Sequence, residues 1–368
     1  MQPVTDYTSI LSHFQIEGTV DRVEALGNGL INDTLKVTTR EPEAPDYVLQ
    51  RINNAVFTDV ELLQHNIDVV TSHIREKLIA RGETDIDRKV LRFVKTDEGK
   101  SYFLDSNGKY WRISVFIPRS VTLESVNHET SYEAGKAFGE FESMLADLKE
   151  PLGETIPDFH NMELRARQLR EVVAANPMKR VEEPAVQQLL KDMEADMEEM
   201  CKAERMYRAG QLPKRICHCD TKVNNMLYDA ETRIPLCVID LDTVMPSFVF
   251  SDYGDFLRTA ANFVAEDCAE LDRVGFNVDI FQAFTRGYLE SAKSFLLPIE
   301  RENLPFAVAL FPFMQSVRFL WDYLNGDKYW KVKYPTHNLV RAQNQMALYK
   351  SVRQHDKEMA DFIEGISL

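Results

Sequence analysis

The chain is short of positive charge, of cysteine pairs and of long apolar runs, and each shortage removes a class of function. Its 43 Lys+Arg face 58 Asp+Glu, a formal net charge of −15. That balance argues against nucleic acid or an anionic membrane as the main partner. No stretch approaches ~18 uninterrupted apolar residues, so no membrane span is expected. The opening MQPVTDYTSILSHF has no basic segment leading into a long apolar one, so no secretory signal is expected either. The five cysteines (Cys201, Cys217, Cys219, Cys237 and Cys268) form an odd, scattered set. Such a set fits reduced thiols and a cytoplasmic protein. Cys217-His218-Cys219 has no second Cys/His pair at ligand spacing to complete a zinc site. Repeats, low-complexity tracts and long linkers are also missing.

What is present divides in two. Over residues 1–117 the strand signals dominate: VDRVEAL (20–26), DTLKVTT (33–39), YVLQRI (47–52), KVLRFVK (89–95), SYFL (101–104) and YWRISVFI (110–117). Asp105-Ser106-Asn107-Gly108-Lys109 separates the last two, and Asn-Gly between strand-like runs signals a hairpin. One helix interrupts the strands at 58–78, with Val60, Leu63, Ile67, Val70, Ile74 and Leu78 at helical spacing and Thr58 as the expected cap. From 118 to 368 helical patterns dominate, at 129–148, 184–209, 279–293, 300–325 and 337–364. On 184–209 the stripe Val186, Leu190, Met193, Met197 and Met200 reads as a docked helix face. The expectation is an α+β fold: a small antiparallel β-sheet lobe with one inserted helix (1–117), then a larger, mostly helical lobe (118–368).

The chemistry concentrates in HCDTKVNNML (218–227) and CVIDLDTVMP (237–246). Phosphoryl transfer needs a carboxylate to orient and deprotonate a hydroxyl, oxygen ligands for Mg²⁺, and a glycine-rich turn whose amides approach the phosphates. Asp220 can be the base. Asn225 can supply a neutral oxygen to the metal, and Asp240, after the apolar CVI, an anionic one. A hairpin over 226–239 would have the two ligands at its ends. Singly, Asp and Asn are common as loop caps and turn residues; jointly, with Gly27 and Gly29 in GNGLIND, they favour the kinase reading. His218 reads as a packed, hydrogen-bonded loop residue. Asp242 either assists the metal or binds backbone amides.

His-x-Asp-x4-Asn followed by an apolar strand and Ile-Asp resembles the catalytic and metal-binding segments of the aminoglycoside phosphotransferase and choline kinase families, which share the protein-kinase-like fold. The resemblance runs from about residue 10 to 350. Within these families GNGLINDTLKV, YVLQRIN, FLWDYLNGDKY and KYPTHNLVR are most similar to the N-acetylhexosamine 1-kinase branch. It implies ATP and Mg²⁺ as cofactors, Asp220 as base and acceptor contact, Asn225 and Asp240 on magnesium, and Arg318 and Tyr329 at the sugar. It also implies transfer to the anomeric hydroxyl. Asp252-Tyr253-Gly254-Asp255 resembles the acidic helix start that braces the catalytic loop.

The pattern departs at the third strand, where relatives often carry a Lys or Arg for the α/β-phosphates. That position is Gln50, with Arg51 next; adjacent strand residues face opposite ways, so the phosphate-binding cation is unassigned. Asp240 and Asp252 are only twelve residues apart, which leaves little room for a peptide-docking segment and favours a small acceptor. The stretch 318–341 mixes Trp321, Tyr323, Tyr329, Trp330 and Tyr334 with Arg318, Lys331, Lys333 and Arg341. Its cations disfavour choline or an aminoglycoside, and aromatics with donors suit a polyhydroxylated ring bearing an amide. Two alternatives stand beside the sugar kinase: a kinase of the same fold for choline, ethanolamine, homoserine or another sugar, and a nucleotide-binding protein without catalysis.

Overall fold

The computed structural model describes residues 7–26 and 32–367. In chain order its elements begin with α1 (Thr8–Leu11), β1 (Val20–Ala25), β2 (Asp33–Thr39), β3 (Tyr47–Ile52), α2 (Val60–Ala80), β4 (Phe103–Leu104), β5 (Tyr110–Val115) and β6 (Ser120–Val121). There follow α3 (His128–Leu145), α4 (Met162–Ala175), α5 (Pro184–Met200), α6 (Lys202–Arg208), β7 (Arg215–Cys217), β8 (Met226–Asp229), β9 (Pro235–Val238) and β10 (Met245–Ser247). The chain ends through α7 (Phe250–Ala260), α8 (Val278–Ala292), α9 (Pro298–Glu302), α10 (Leu304–Leu324), α11 (His337–Arg353) and α12 (Asp356–Gly365). These elements make two compact units. The first takes residues 1–121, 147–157 and 227–244, and the second takes 122–146, 158–226 and 245–368. The architecture is the two-lobed α+β fold of the protein-kinase type, with a small antiparallel sheet and a larger helical part.

In the first unit a five-stranded sheet runs β1-β2-β3-β5-β4, with every pair antiparallel. Alternation along the strands divides its faces. Leu49, Trp111 and Ile113 join Leu11, Phe14, Val37, Tyr47 and Val94 in one apolar cluster. The residues between them, Gln50 and Arg112, point the other way and bond to each other and to α2. The helix buries Val60, Leu63, Ile67, Val70, Ile74 and Leu78, the stripe its sequence spells out. Its cap is Asp59, whose Oδ1 accepts from the Leu62 amide at 2.9 Å, rather than Thr58. Residues 89–95 do not form the expected strand. That edge of β5 is shared: β4 pairs with Tyr110 and Trp111, and only single bridging contacts at Phe93 and hydrogen bonds at Arg92 and Val94 meet the far end of β5. A pairing so short does not propagate a ladder.

The second unit is helical apart from the β7–β10 pair. The expected helix at 184–209 breaks at Cys201 into α5 and α6, and Leu189, not Leu190, lies in its buried stripe. The pattern at 337–364 likewise breaks between α11 and α12, and α4 is a helix that was not expected. One helix, α10, is long and apolar enough by composition to cross a membrane, but 83% of its apolar window is buried inside the unit. It packs against α4, α7 and α11 as a core helix. All five cysteines are free thiols.

The closest packing is α3 on α8, made backbone to backbone through glycines. A Cβ on Gly287 would lie 2.0 Å from the Tyr132 carbonyl oxygen, and one on Gly135 would lie 2.2 Å from that of Phe284. Only separation of the helices would admit it. We therefore expect Gly287→Ala to cost roughly 3 kcal/mol and to lower the melting temperature by about 5–10 °C. Gly365→Ala, where a Cβ meets nothing within 4 Å, should leave the melting temperature unchanged or raise it slightly. Equal melting of the two variants would contradict this packing.

Candidate active site

In the second unit, β7 delivers the chain into a tight loop at His218. Two backbone amides there are captured by one carboxylate at the start of α7: His218 N donates to Asp252 Oδ2 at 2.8 Å and Cys219 N to Oδ1 at 2.7 Å. The Thr221 hydroxyl adds a bond to the Asp252 carbonyl at 2.7 Å. Cys219 is buried in the left-handed region, φ +63°, which a non-glycine residue adopts at a cost of order 1–2 kcal/mol. Charge-assisted bonds to Asp252, each worth about 1.5–3 kcal/mol, offset it. Asp252 thus braces the loop, whereas Asp255 pairs with Arg258 at 2.8 Å. His218 is fully buried, edge-on to Phe138 and Phe141. Its Nδ1 accepts from the Asp220 amide at 3.2 Å.

The loop presents Asp220 half-buried. Burial works to raise its carboxyl, but Lys222, 2.8 Å from Oδ1 and 3.0 Å from Oδ2, outweighs that and holds it below the ordinary carboxylate range. Asp220 is therefore ionised and able to accept a proton. A 3-10 turn at Val223–Asn225 folds Asn225 back, so that its Nδ2 donates to the Asp220 carbonyl at 2.8 Å and to Oδ2 at 3.1 Å. Its nitrogen is thereby occupied, and its Oδ1 makes no hydrogen bond to any described residue. That is the chemistry of a neutral oxygen ligand for a hard cation.

Arg318 and Tyr329 also lie in this unit and meet: the guanidinium stands 5.8 Å from the Tyr329 ring, 5.1 Å from Trp330 and 5.0 Å from Phe159. Its Nη1 donates to the neutral Gln315 Oε1 at 3.0 Å. Arg165 and His160 were not foreseen. Arg165 bonds Gln168 Oε1 and the Asp158 and Phe159 carbonyls. Burial, then Arg318, brings its pKa down to about 10. Burial, followed by Arg318 and Arg165, keeps His160 neutral, with Nδ1 2.9 Å from Ser251 Oγ. Neither arginine is ion-paired with a carboxylate among the described residues. Both Arg318 and His160 feel the Asp220 charge. The pattern 158–165 carries no motif, so only a fold that brings α4 to α10 assembles this group.

In the first unit, Gly27 and Gly29 lie outside the described residues. Arg51 pairs with the exposed Asp33, on the face of β3 opposite Gln50. Gln50 bonds Thr34 Oγ1 at 3.3 Å and accepts from Arg112 Nε at 2.9 Å. Asp240 is exposed, left-handed at φ +59°, and opens the 3-10 turn Leu241–Thr243. Its carboxylate suits an anionic metal ligand. Asp242 is buried instead: Asn32 Nδ2 donates to its Oδ2 at 2.6 Å, and Arg112 Nη1 stands 2.5 Å from its Oδ1. The turn is further pinned by Thr155 Oγ1 on the Asp242 carbonyl and Asn66 Nδ2 on the Val244 carbonyl, both at 2.9 Å. Asn225 immediately precedes β8, and Asp240 is the second residue after β9, its neighbour in the sheet β6-β8-β9.

A loop-held Asp-Asn pair after a short strand, on a two-lobed α+β fold, is the kind of arrangement that phosphoryl transfer calls for. The chain belongs to the phosphotransferase enzyme family, whose model matches residues 22–288. It is similar to the crystal structure of an aminoglycoside phosphotransferase from Alicyclobacillus acidocaldarius, at 15% identity and TM-score 0.58, covering 94% of this chain and 95% of that one. It is similar to a microcompartment-associated aminopropanol kinase at 15% identity and TM-score 0.57, covering 96% and 98%. A choline kinase from Cryptosporidium parvum matches at 13% identity and TM-score 0.55, covering 92% and 90%. At these identities the structures share the fold.

Behind the loop lies a buried trio, Glu142, Cys217 and Asp252. Tyr288 Oη donates to Glu142 Oε2 at 2.5 Å. Burial, then the Asp252 charge, pushes the Glu142 carboxyl well above its ordinary range, and burial does the same to the Cys217 thiol. Burial raises the Asp252 carboxyl too, but the amides of His218 and Cys219 favour its charged form, so Asp252 keeps the charge and Glu142 the proton. The folded state therefore binds a proton that the unfolded chain releases. Its stabilisation is complete below the ordinary glutamate range and is lost as pH rises from there towards the folded value. Relative to Glu142→Gln, the wild-type protein should lose up to about 1.4 kcal/mol per pH unit across that window. Urea unfolding from pH 5 to 8 checks this. Parallel pH profiles would mean that Glu142 is not protonated.

Proposed function

We propose that the protein transfers the γ-phosphoryl group of ATP to the anomeric hydroxyl of an N-acetylhexosamine, such as N-acetylglucosamine or N-acetylgalactosamine. Asp220 accepts the hydroxyl proton as the sugar oxygen bonds to phosphorus and the bond to the ADP oxygen breaks. Lys222 steadies the carboxylate. Asn225 Oδ1 and the Asp240 carboxylate would hold Mg²⁺, which when bound supplies charge neutralisation on the phosphates. The nucleotide falls to the first unit, for which the sequence offers Gly27, Gly29, Gln50 and Arg51; Gln50 and Arg51 face opposite sides of β3, so one of the two can reach it, and the acceptor falls to the second.

One observation favours a sugar over an amine: Arg165 and Arg318, two guanidiniums without a carboxylate partner among the described residues, stand beside Phe159, Tyr329 and Trp330. A choline, an aminopropanol or an aminoglycoside is cationic and would be repelled. A neutral ring with hydroxyls and an amide carbonyl accepts from such donors and lies against such rings. The resemblance of 318–341 to the N-acetylhexosamine branch points the same way, and the anomeric position rests on that resemblance.

The test is ADP release from Mg-ATP with N-acetylglucosamine, N-acetylgalactosamine, choline and homoserine side by side, followed by phosphorus NMR of the product. A sugar 1-phosphate from one of the hexosamines is expected. Phosphocholine alone would overturn the sugar assignment and leave the phosphotransferase standing. Asp220→Asn should lower kcat by about 10² or more while nucleotide still binds. Near-normal turnover would remove Asp220 as base. Arg318→Ala should cost roughly 1.5–3 kcal/mol, ten- to a hundred-fold in kcat/KM for the sugar, with the KM for ATP nearly fixed. An unchanged sugar kcat/KM would take Arg318 out of the acceptor site.

A further inference from the structure

The strand position where relatives often place a phosphate-side cation is the neutral Gln50, yet the charge is not missing from this part of the first unit. Arg112 is the cross-strand partner of Gln50, directly opposite it on β5. The two side chains rise on the same face of the sheet. Arg112 is buried, 2% exposed, and its fork reaches three elements. Nε donates to Gln50 Oε1 on β3 at 2.9 Å, Nη1 donates to Gln64 Oε1 on α2 at 3.1 Å, and Nη1 faces Asp242 Oδ1 in the 241–243 turn at 2.5 Å. Strand and helix thus contribute neutral amides, and one guanidinium carries the positive charge between them.

A buried ion pair is a poor way to gain stability, because both charges lose their water and an apolar pair of similar size would hold the site as well. What it provides is position. The Asp242 carboxylate is held from two sides, by the Arg112 charge in ion-pair contact with Oδ1 and by a hydrogen bond from Asn32 on Oδ2, while Asn32 Oδ1 itself takes the Asn53 amide at 2.9 Å. Asp242 lies two residues after Asp240, whose left-handed backbone opens the same turn. Fixing Asp242 therefore fixes where the exposed Asp240 carboxylate is presented. We propose that Arg112 is a positioning residue for the metal: from the neighbouring strand it supplies the cation that Gln50 does not, and it acts through Asp242 on Asp240. This rests on the reading of Asp240 as a metal ligand.

The test is equilibrium binding of a non-hydrolysable ATP analogue, titrated with Mg²⁺ by calorimetry and needing no turnover, on the wild-type protein, Arg112→Gln, Arg112→Lys and the charge-relocated Gln50→Lys/Arg112→Gln. Partners that orient metal ligands typically contribute ten- to a hundred-fold to metal affinity. Arg112→Gln should therefore need at least about tenfold more Mg²⁺ for half-saturation. Binding of the analogue without metal should change much less. Gln50→Lys in that background should recover most of the magnesium response, whatever it does to the melting temperature. Should Arg112→Gln fail to fold, Arg112→Lys carries the comparison. Lysine keeps the charge but loses the fork, and a several-fold weaker magnesium response is expected. A wild-type magnesium titration in Arg112→Gln (or in Arg112→Lys where the former is unfolded), or a defect that Gln50→Lys leaves untouched, overturns the proposal. If the wild-type protein itself shows no magnesium-dependent binding, the assignment of the metal ligands fails first and the role of Arg112 falls with it.

Discussion

A single carboxylate holds the chemistry of the second unit in place. Asp252, at the start of α7, takes the amides of His218 and Cys219 on its two oxygens. Everything that follows in the loop depends on that capture. It stabilises the left-handed turn at Cys219, which aims Asp220 away from the core. It sets His218 where its ring nitrogen can take the next amide, and Thr221 where its hydroxyl closes the loop onto the Asp252 carbonyl. The 3-10 turn then returns Asn225 to Asp220. The brace is itself maintained by protonation: Glu142 is kept neutral, and Tyr288 donates to it, so that no second negative charge competes with Asp252 in the buried interior.

The first unit solves a similar problem with the opposite sign. There the fixed point is a cation, Arg112, and the loop it steadies is the turn after Asp240. In both units a buried charge from regular structure grips a short, irregular segment one or two residues from a carboxylate, and that carboxylate itself is left half-buried or exposed. This division suits phosphoryl transfer, in which the protein contributes mainly position and electrostatics.

Much of this was legible in the sequence because it is local. Alternation and turn chemistry give β2 and β3 over their full observed spans, the hairpin at Asp105–Lys109 and the buried stripe of α2. The spacing of Asp220 and Asn225 is short enough that a single loop brings them together. Other features escaped because they depend on contacts far apart in the chain. Asn32 and Asp242 are 210 residues apart, and Arg112 and Gln64 are 48, so nothing in YWRISV marks its arginine as the charge of the network. The run KVLRFVK has a strand-like pattern but only a shared edge to pair with. His160 and Arg165 precede or begin an unforeseen helix, and Glu142 sits unannounced within an apolar face. Thr58 lost the capping position to its neighbour Asp59, a one-residue shift of the kind that helix ends commonly show.

The 218–225 loop is assembled on Asp252, and amide hydrogen exchange tests that most directly. In the wild-type protein the amides of residues 217–221 should be strongly protected. In Asp252→Asn, which keeps the shape but replaces one accepting oxygen with a nitrogen, protection should fall by at least about tenfold across 217–225, while α8 and α10 remain protected. Unchanged protection of the loop in that variant would contradict the account, because the loop would then hold its form without the carboxylate.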